Sequence, residues 1–111
     1  MNLNGKRFRV AATAEQGVVS EDTLLEFVQR GTRVLGRYRG GTIERGCLVG
    51  TTAGAGLRFR YAQREADGHI HGGRSVCDLY VVRGAGLRLE EHFTWATRPG
   101  SGTNIFEEIT S

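Results

Sequence analysis

The sequence predicts an all-β fold, a single small antiparallel β-barrel of about eight strands in up-and-down order. Short segments alternate apolar and polar residues, the period of a strand with one buried face. Turn signals separate these segments at intervals of about 8–12 residues, which is typical of sandwiches and barrels. Glycine supplies 17 of the 111 residues and proline one, which indicates many tight turns. The length suits one domain, predicted to span residues 1–111.

The first four predicted strands are separated by glycine-containing turns. Gly5–Thr13 alternates up to a Glu-Gln-Gly turn, and Asp22–Arg30 alternates up to a hairpin with glycine. Arg33–Arg39 places arginine at most positions of one face, and Thr42–Thr52 follows a Gly-Gly turn. A helix over Ser20–Arg30, capped by its serine, is the alternative for the second segment. We favour the strand because Gly31, which follows this segment, leads directly into a clear strand at Arg33–Arg39.

The last four predicted strands end in a Pro-Gly-Ser-Gly turn and a final segment. Leu57–Arg64 has the cleanest alternation, and an Asp-Gly turn leads into His69–Arg83, whose length predicts a bend at Gly72-Gly73. Leu87–Thr97 keeps its large apolar residues in step, whereas either face of Thr103–Thr110 could be buried. Short links favour a meander, and eight such strands can close and leave no edge.

The sequence carries no signal for secretion or for insertion into a membrane. Its longest apolar run is Leu79–Val82, and residues 1–14 contain no hydrophobic segment of a signal peptide. Cys47 and Cys77 are too few for a disulfide framework and fall on strands two apart, so we expect two buried, reduced thiols. These observations predict a cytoplasmic protein with no membrane partner.

The charge pattern gives no evidence for nucleic acid or for nucleotide chemistry. The net charge is only +3, and a sheet that binds nucleic acid needs aromatic residues beside its basic ones. Here the aromatic residues alternate with the arginines and so face the other way. Glycine-rich nucleotide loops and a nucleophile elbow are missing, so we expect no nucleic-acid partner and no cofactor. The outward basic band consists of Arg33, Arg37, Arg39, Arg58, Arg60 and Arg64.

Polar residues on the predicted inner face are the candidate site. Glu91 shares its face with large apolar residues, where a lone carboxylate is costly unless it is paired, and Arg74 is the expected partner. The simpler interpretation of Glu91, and the one the residue type favours, is a buried structural pair or a carboxylate at the wet barrel mouth; a ligand or catalytic contact is the alternative. Inward tyrosine and tryptophan can be core residues with satisfied polar ends. The candidate ligand contacts are Tyr38, Tyr61, Gln63, Arg74 and Trp95.

Inward glycines and the histidines add two weaker signals. A missing side chain at Gly36, Gly46 and Gly50 leaves room for a ligand or for a large neighbour. His69 and His71 share a strand face and could hold a metal with His92. No third ligand is assured and the spacing is common by chance, so we predict no metal site.

The chain resembles small bacterial proteins of about this length that are commonly labelled "N-acetylglutamate synthase". The shared segments cover nearly the whole chain: Asn4–Phe8, Tyr38–Ile43, Gly46–Gly50, Phe59–Tyr61, Gly68–Arg74, Leu87–Glu91, Trp95 and Phe106–Ile109. The resemblance implies a small β-barrel and supplies no catalytic residues. The chain lacks the α/β pattern and the pyrophosphate loop of acetyltransferases. It departs from the family at His92 and Phe93, where a basic residue and tryptophan are usual.

These observations predict a calycin- or lipocalin-like barrel that holds an apolar or amphipathic small molecule in its lumen or mouth. The first alternative is an enzyme on the same barrel, of cyclase or isomerase type, whose shape-selective pocket uses Glu91 as acid or base. The second alternative is a self-associating structural module with a filled barrel, for which a homodimer is the partner. Exposed Ile43, Val49 or Ile105 on one patch would support this second alternative.

Overall fold

Eight strands make up the regular structure of residues 2–110. The computed structural model describes residues 2–110. The strands are β1 (Arg7–Ala12), β2 (Leu24–Arg30), β3 (Arg33–Gly40), β4 (Ile43–Ala53), β5 (Gly56–Glu65), β6 (Ile70–Val82), β7 (Gly86–Trp95) and β8 (Ser101–Glu108). The prediction of an all-β fold is confirmed, and the alternative of a helix over 20–30 is wrong. Residues 24–30 instead pair along their whole length with β3. Within the described range, no helix is long and apolar enough to cross a membrane.

The strands form a closed antiparallel barrel, as the sequence predicts. Each strand pairs with the next, and β8 returns to pair with β1, for example Val10 opposite Phe106. Closure satisfies the backbone groups that an open sheet would leave at its edges. The joint between β1 and β2 is short, since Arg7–Arg9 pairs with Leu24–Glu26. Between them the chain leaves the sheet, and we call residues 13–23 the strap.

Alternation of side chains fills the lumen from all eight strands. Every second residue of β5 is buried, and on β8 the buried set contains Asn104 and Phe106. Inward glycines make room for large neighbours. A Cβ at Gly46 would lie 2.4 Å from the ring of Tyr38, and one at Gly50 would lie 2.6 Å from the Cβ of Phe59. At Gly46 and Gly50 the missing side chain therefore makes room for a large neighbour rather than for an open ligand channel.

The long strand β6 and the two cysteines differ in part from expectation. Pairing between β5 and β6 runs without a register shift through Gly72 and Gly73, so no bulge marks the predicted bend. Cys77 is buried, and burial raises the pKa of its thiol. The prediction of a buried thiol is wrong for Cys47, which points outward from the pleat of β4. The two lie on strands separated by β5, as predicted.

Candidate functional site

The barrel lumen contains a small cavity beneath the strap. Its unfilled space is about 450 Å³ including its opening toward solvent, but only about 30 Å³ can take the centre of a water molecule. That smaller volume holds a few waters at most, because one water needs about 10–15 Å³ by this measure. The lining consists of Gly17, Val18, Val19, Leu25, Tyr38, Leu48, Phe59, Tyr61, Gln63, Glu91, Phe93, Trp95, Asn104 and Phe106.

Glu91 lies at the centre of a buried hydrogen-bond network. The Ser75 hydroxyl donates to its Oε2 at 2.6 Å, and the Asn104 amide donates to its Oε1 at 3.0 Å. The predicted pairing with Arg74 is wrong. Arg74 precedes Ser75 on β6 and therefore points to the opposite face, where it is exposed. Arg74 consequently does not line the lumen, and neutral donors take the place of the expected cation.

The environment of Glu91 favours its protonated form. Burial raises the pKa of the carboxyl above its ordinary value, and the hydrogen bonds from Ser75 and Asn104 offset that rise in part. Burial also raises the pKa of Tyr38, and the Glu91 charge adds to that rise. No cation is among the hydrogen-bond donors of Glu91, so burial is the main influence on its pKa.

A second polar chain runs from the lumen toward the turn between β7 and β8. The Tyr38 hydroxyl donates to Oε1 of Gln63 at 2.9 Å, and Nε2 of Gln63 donates to Glu65 at 2.9 Å. The Arg98 guanidinium completes the chain with an ion pair to the same Glu65 oxygen. It also lies over the indole of Trp95, 4.4 Å from the ring centroid.

Sequence reasoning did not select Glu65, Arg98, Ser75 or Asn104 for the site. The inward orientation of Glu65 could have been predicted from alternation, because it continues the inward series of Tyr61 and Gln63 along β5. Ser75 and Asn104 needed the strand registers, which decide which face of β6 and β8 is buried. Arg98 stands in a turn, where no periodicity indicates the direction of a side chain.

The strap closes one end of the lumen through hydrogen bonds to the barrel. The Trp95 indole N–H donates to the backbone oxygen of Gln16 at 3.0 Å, and the Ser101 N–H donates to the Gln16 side chain at 3.0 Å. The Ala14 N–H donates to Oδ1 of Asn104 at 3.0 Å. Asn104 therefore joins the buried carboxyl of Glu91 to the strap.

The predicted contacts Tyr38, Tyr61, Gln63 and Trp95 all line the cavity, together with Glu91. Tyr61 and Trp95 meet edge to face with ring centroids 5.4 Å apart. Among residues 2–110, the buried side-chain atoms without a hydrogen-bond partner are Tyr61 Oη, Arg88 Nε and Arg98 Nε. The Tyr61 hydroxyl is thus an unsatisfied polar group in the wall of the lumen.

His69 and His71 are neighbours, with ring centroids 6.3 Å apart, but His92 does not join them in a possible metal-binding group among the described residues. His69 contacts Asp67, and His71 contacts Thr97. Within the described part of the chain, one group of side chains could hold a metal ion. It consists of Asp78, Glu90 and His92, whose ligand atoms lie within 4.8 Å of one another. This group lies on the outer face of β6 and β7, away from the cavity, and exposed acidic groups are common without an ion.

Comparisons with known proteins give one finding. The chain matches, over residues 1–109, a family model described as avidin-like protein. Neither the comparison with curated proteins nor the comparison with solved structures gives a match.

Proposed function

The chain belongs to the avidin-like family of small-molecule-binding barrels, and we propose that it holds an apolar or amphipathic molecule in the lumen beneath the strap. The observation that carries this proposal is the composition of the cavity wall. Phe59, Phe93 and Trp95 form an apolar surface that is interrupted by a few polar groups. Ligand sites in proteins have this mixture, because apolar walls supply affinity and sparse polar groups fix orientation.

The strap provides the route by which a ligand larger than water enters. The roughly 30 Å³ of the cavity that can take the centre of a water molecule is far below the roughly 300–1,000 Å³ of ordinary ligand sites. Val18 and Val19 are only partly buried against the core. Over the cavity the strap is held to the barrel by three hydrogen bonds of Ala14 and Gln16, each worth about 1 kcal/mol, and Thr23 at its end donates a further one to the Gly40 backbone oxygen. Displacing it therefore costs far less than opening the barrel wall.

Trp95 makes the proposal directly measurable, since it is the single tryptophan of the sequence. A molecule that enters the lumen contacts this indole or displaces its hydrogen bond to the strap, so its fluorescence reports binding. The test is a titration with a library of small apolar and amphipathic compounds. We expect saturable changes for a subset of compounds, and a library without any such compound would contradict the proposal.

A pair of glycine variants supplies the control for this titration. Gly46→Ala places a methyl group 2.4 Å from the Tyr38 ring and drives that ring into the cavity. Gly56→Ala adds the same methyl group at the start of β5, where the nearest contact is 3.3 Å. We expect Gly46→Ala to weaken binding at least tenfold, about 1.4 kcal/mol, and Gly56→Ala to leave it within twofold.

Catalysis by Glu91 is a second candidate function, favoured by the raised pKa of this carboxyl and its place in the cavity wall. A buried carboxyl whose pKa is raised, next to a shaped pocket, can promote a cyclisation or isomerisation as acid or base. Compounds that bind would be incubated with the protein and examined for conversion. Catalysis requires that Glu91→Gln abolish conversion while binding is kept, and unchanged compounds after incubation would exclude it for that set.

Self-association is the third function that a specific surface supports. Val28 pairs with Leu35 and Leu35 pairs with Val49, which makes one outward apolar row across β2, β3 and β4. All three side chains are more than half exposed. Ile43 is not part of this surface because it is buried, and Ile105 is only partly exposed.

We propose that the row Val28–Leu35–Val49 joins two copies of the chain. Light scattering at increasing concentration tests this. We expect Leu35→Asp to shift any dimer to monomer and Leu35→Met to preserve it, whereas a wild-type monomer at all concentrations would contradict the proposal. The cytoplasmic location and the relation to the small proteins labelled "N-acetylglutamate synthase" stay predictions.

A further inference from the structure

A second depression lies outside the barrel, on the wall formed by β3, β4 and β5, and we call it the outer groove. About 440 Å³ of it can take the centre of a water molecule, whereas the lumen offers about 30 Å³ by the same measure. Three arginines line this one space, Arg37, Arg45 and Arg64, together with the carboxylate of Glu44. The outer groove therefore has room for a small molecule and a mostly cationic lining.

The strand registers explain why the wall is hollow at this point. Cys47 and Ala62 are partners across β4 and β5, so two short side chains stand side by side on the outer face. The next outward pair toward the start of β4 is Arg45 with Arg64, and both side chains are long. Arg37 lies opposite Cys47 on the other side, from β3. Short side chains thus lie low among long cationic ones.

A register shift at the start of β4 adds a further side chain to the outer groove. The pairing of β4 with β5 changes register between Ile43 and Arg45. As a result Glu44 and Arg45, although consecutive, are both exposed. Irregularities of this kind redirect side chains and are frequent beside functional sites.

The cations of the outer groove are poorly neutralised by the protein itself. Among the described residues, no ion pair engages Arg37 or Arg45. Arg64 lies 3.6 Å from Glu44, but both side chains are more than half exposed, so this pair contributes little. Arg45 and Arg64 are direct partners across the strands, where like charges repel. A bound anion would relieve that repulsion.

The charge of the outer groove selects the kind of anion. Three guanidinium groups and one carboxylate give its lining a net charge of +2. A phosphate monoester carries about −1.5 to −2 at pH 7, because its second pKa is near 6. A sulfate ester or a phosphodiester carries a single charge, so the backbone of a nucleic acid matches less well. Guanidinium groups also fit phosphate oxygens with two parallel hydrogen bonds.

We propose that the outer groove binds a small molecule that carries a phosphate monoester. The phosphate lies among Arg37, Arg45 and Arg64, and the organic part lies on the apolar surface of the same groove. Ile70, which is 69% exposed, and Ala62 supply that surface. This site is separate from the lumen and does not depend on a ligand there.

Cys47 supplies a reporter within the outer groove, since its thiol is exposed there while Cys77 is buried. The test measures how fast N-ethylmaleimide alkylates Cys47, by mass spectrometry, at increasing concentrations of phenyl phosphate and at constant ionic strength. Phenyl sulfate is the comparison probe, because it has nearly the same shape and a single charge. At each pH the rate with the probe is divided by the rate without it, so the reactivity of the thiol itself cancels.

We expect phenyl phosphate to protect Cys47 in a saturable way and phenyl sulfate to bind at least fivefold more weakly. Protection by phenyl phosphate should decline between about pH 7.5 and pH 5, as the phosphate takes up its second proton. Protection by phenyl sulfate should not follow this decline, and a titration of the protein would affect both probes.

Substitutions locate the phosphate. Arg37→Gln and Arg45→Gln should each weaken protection by phenyl phosphate at least fivefold, because each removes a charged donor. Glu44→Gln should strengthen it, because the net charge of the groove rises. Arg58→Gln is the matched control: it makes the same change of charge on the outer face of β5, outside the groove, and should stay within twofold.

Three results would overturn the inference. The first is equal protection by the two esters, which would indicate no selection of a dianion. The second is a loss in Arg58→Gln as large as that in Arg45→Gln, which would indicate general charge attraction. The third is unprotected Cys47 at tens of millimolar phenyl phosphate. If Trp95 fluorescence changed in that third case, the probe would be in the lumen, and the proposed lumen binding would stand while the outer site would not.

Discussion

Removal of the Asn104 side chain should uncouple the strap from the barrel. In Asn104→Ala, Oε1 of Glu91 loses a donor at 3.0 Å and the Ala14 N–H loses an acceptor at 3.0 Å. Two ordinary hydrogen bonds correspond to about 2 kcal/mol, and two buried groups left without partners to about 2–6 kcal/mol. Water in the space left by the amide favours the lower part of that range, so we expect a loss of about 3 kcal/mol.

Urea unfolding and amide exchange measure this effect in two independent ways. A loss of about 3 kcal/mol is a large part of the roughly 5–15 kcal/mol that stabilises a small domain. The Ala14 amide should also exchange faster in Asn104→Ala at conditions where the barrel stays folded. Thr103→Ala, on the same strand as Asn104, is the matched control: it loses an exposed contact to His92 of β7 and should cost less than about 1 kcal/mol.

A second substitution separates the two halves of the Asn104 contact. Asn104→Asp keeps an acceptor for the Ala14 N–H but places a carboxyl beside Glu91, where one of the two must stay protonated. Its destabilisation should therefore be larger at pH 7 than at pH 5. If Asn104→Ala stayed within 1 kcal/mol of wild type with unchanged exchange at Ala14, the network would not hold the strap.

Three further predictions concern the buried acid, the thiols and the glycines. Burial raises the pKa of Glu91, so above its ordinary value near 4.5 the folded state retains a proton that the unfolded chain releases, and stability falls as pH rises. Glu91→Gln should lack this loss of stability. An equal pH dependence of urea unfolding in both proteins would contradict the prediction. A thiol reagent should modify Cys47 at once and Cys77 only on unfolding, as followed by mass spectrometry. Modification of both thiols in the folded protein would contradict this burial pattern. Gly50→Ala should destabilise more than Gly36→Ala in urea unfolding, because its Cβ would lie 1.9 Å from a backbone oxygen whereas the other meets a side chain at 2.8 Å. The reverse order would refute that packing argument.

The strand order of this barrel follows from local signals in the sequence. Strands of about ten residues with alternating burial, joined by glycine turns such as Gly54 with its positive φ, leave few arrangements other than a closed meander. Ser20–Arg30 was ambiguous, because its leucine and phenylalanine spacing also suits a helix. Tertiary pairing with β3 decides for the strand, and no local property of the segment does.

The candidate site was predictable only where the alternation of side chains along a strand is enough to place a residue inward. Tyr38, Tyr61, Gln63 and Glu91 follow from alternation with their apolar neighbours. The partner of Glu91 did not follow, because choosing Arg74 rather than Ser75 depends on knowing which face of β6 is inward. Charge complementarity favours Arg74 as the partner of Glu91, but Arg74 lies on the outer face of β6 and its side chain is exposed to solvent. The strap and its bonds to Trp95 depend on contacts between distant segments, which periodicity does not encode.

A crystal structure of the protein with its tightest-binding compound tests the central claim most directly. We expect electron density for the compound inside the barrel, against Trp95 and Tyr61, with residues 17–19 moved away from their positions over the cavity. A compound bound to the outer face, with the lumen still filled by its own side chains and the strap in place, would contradict it.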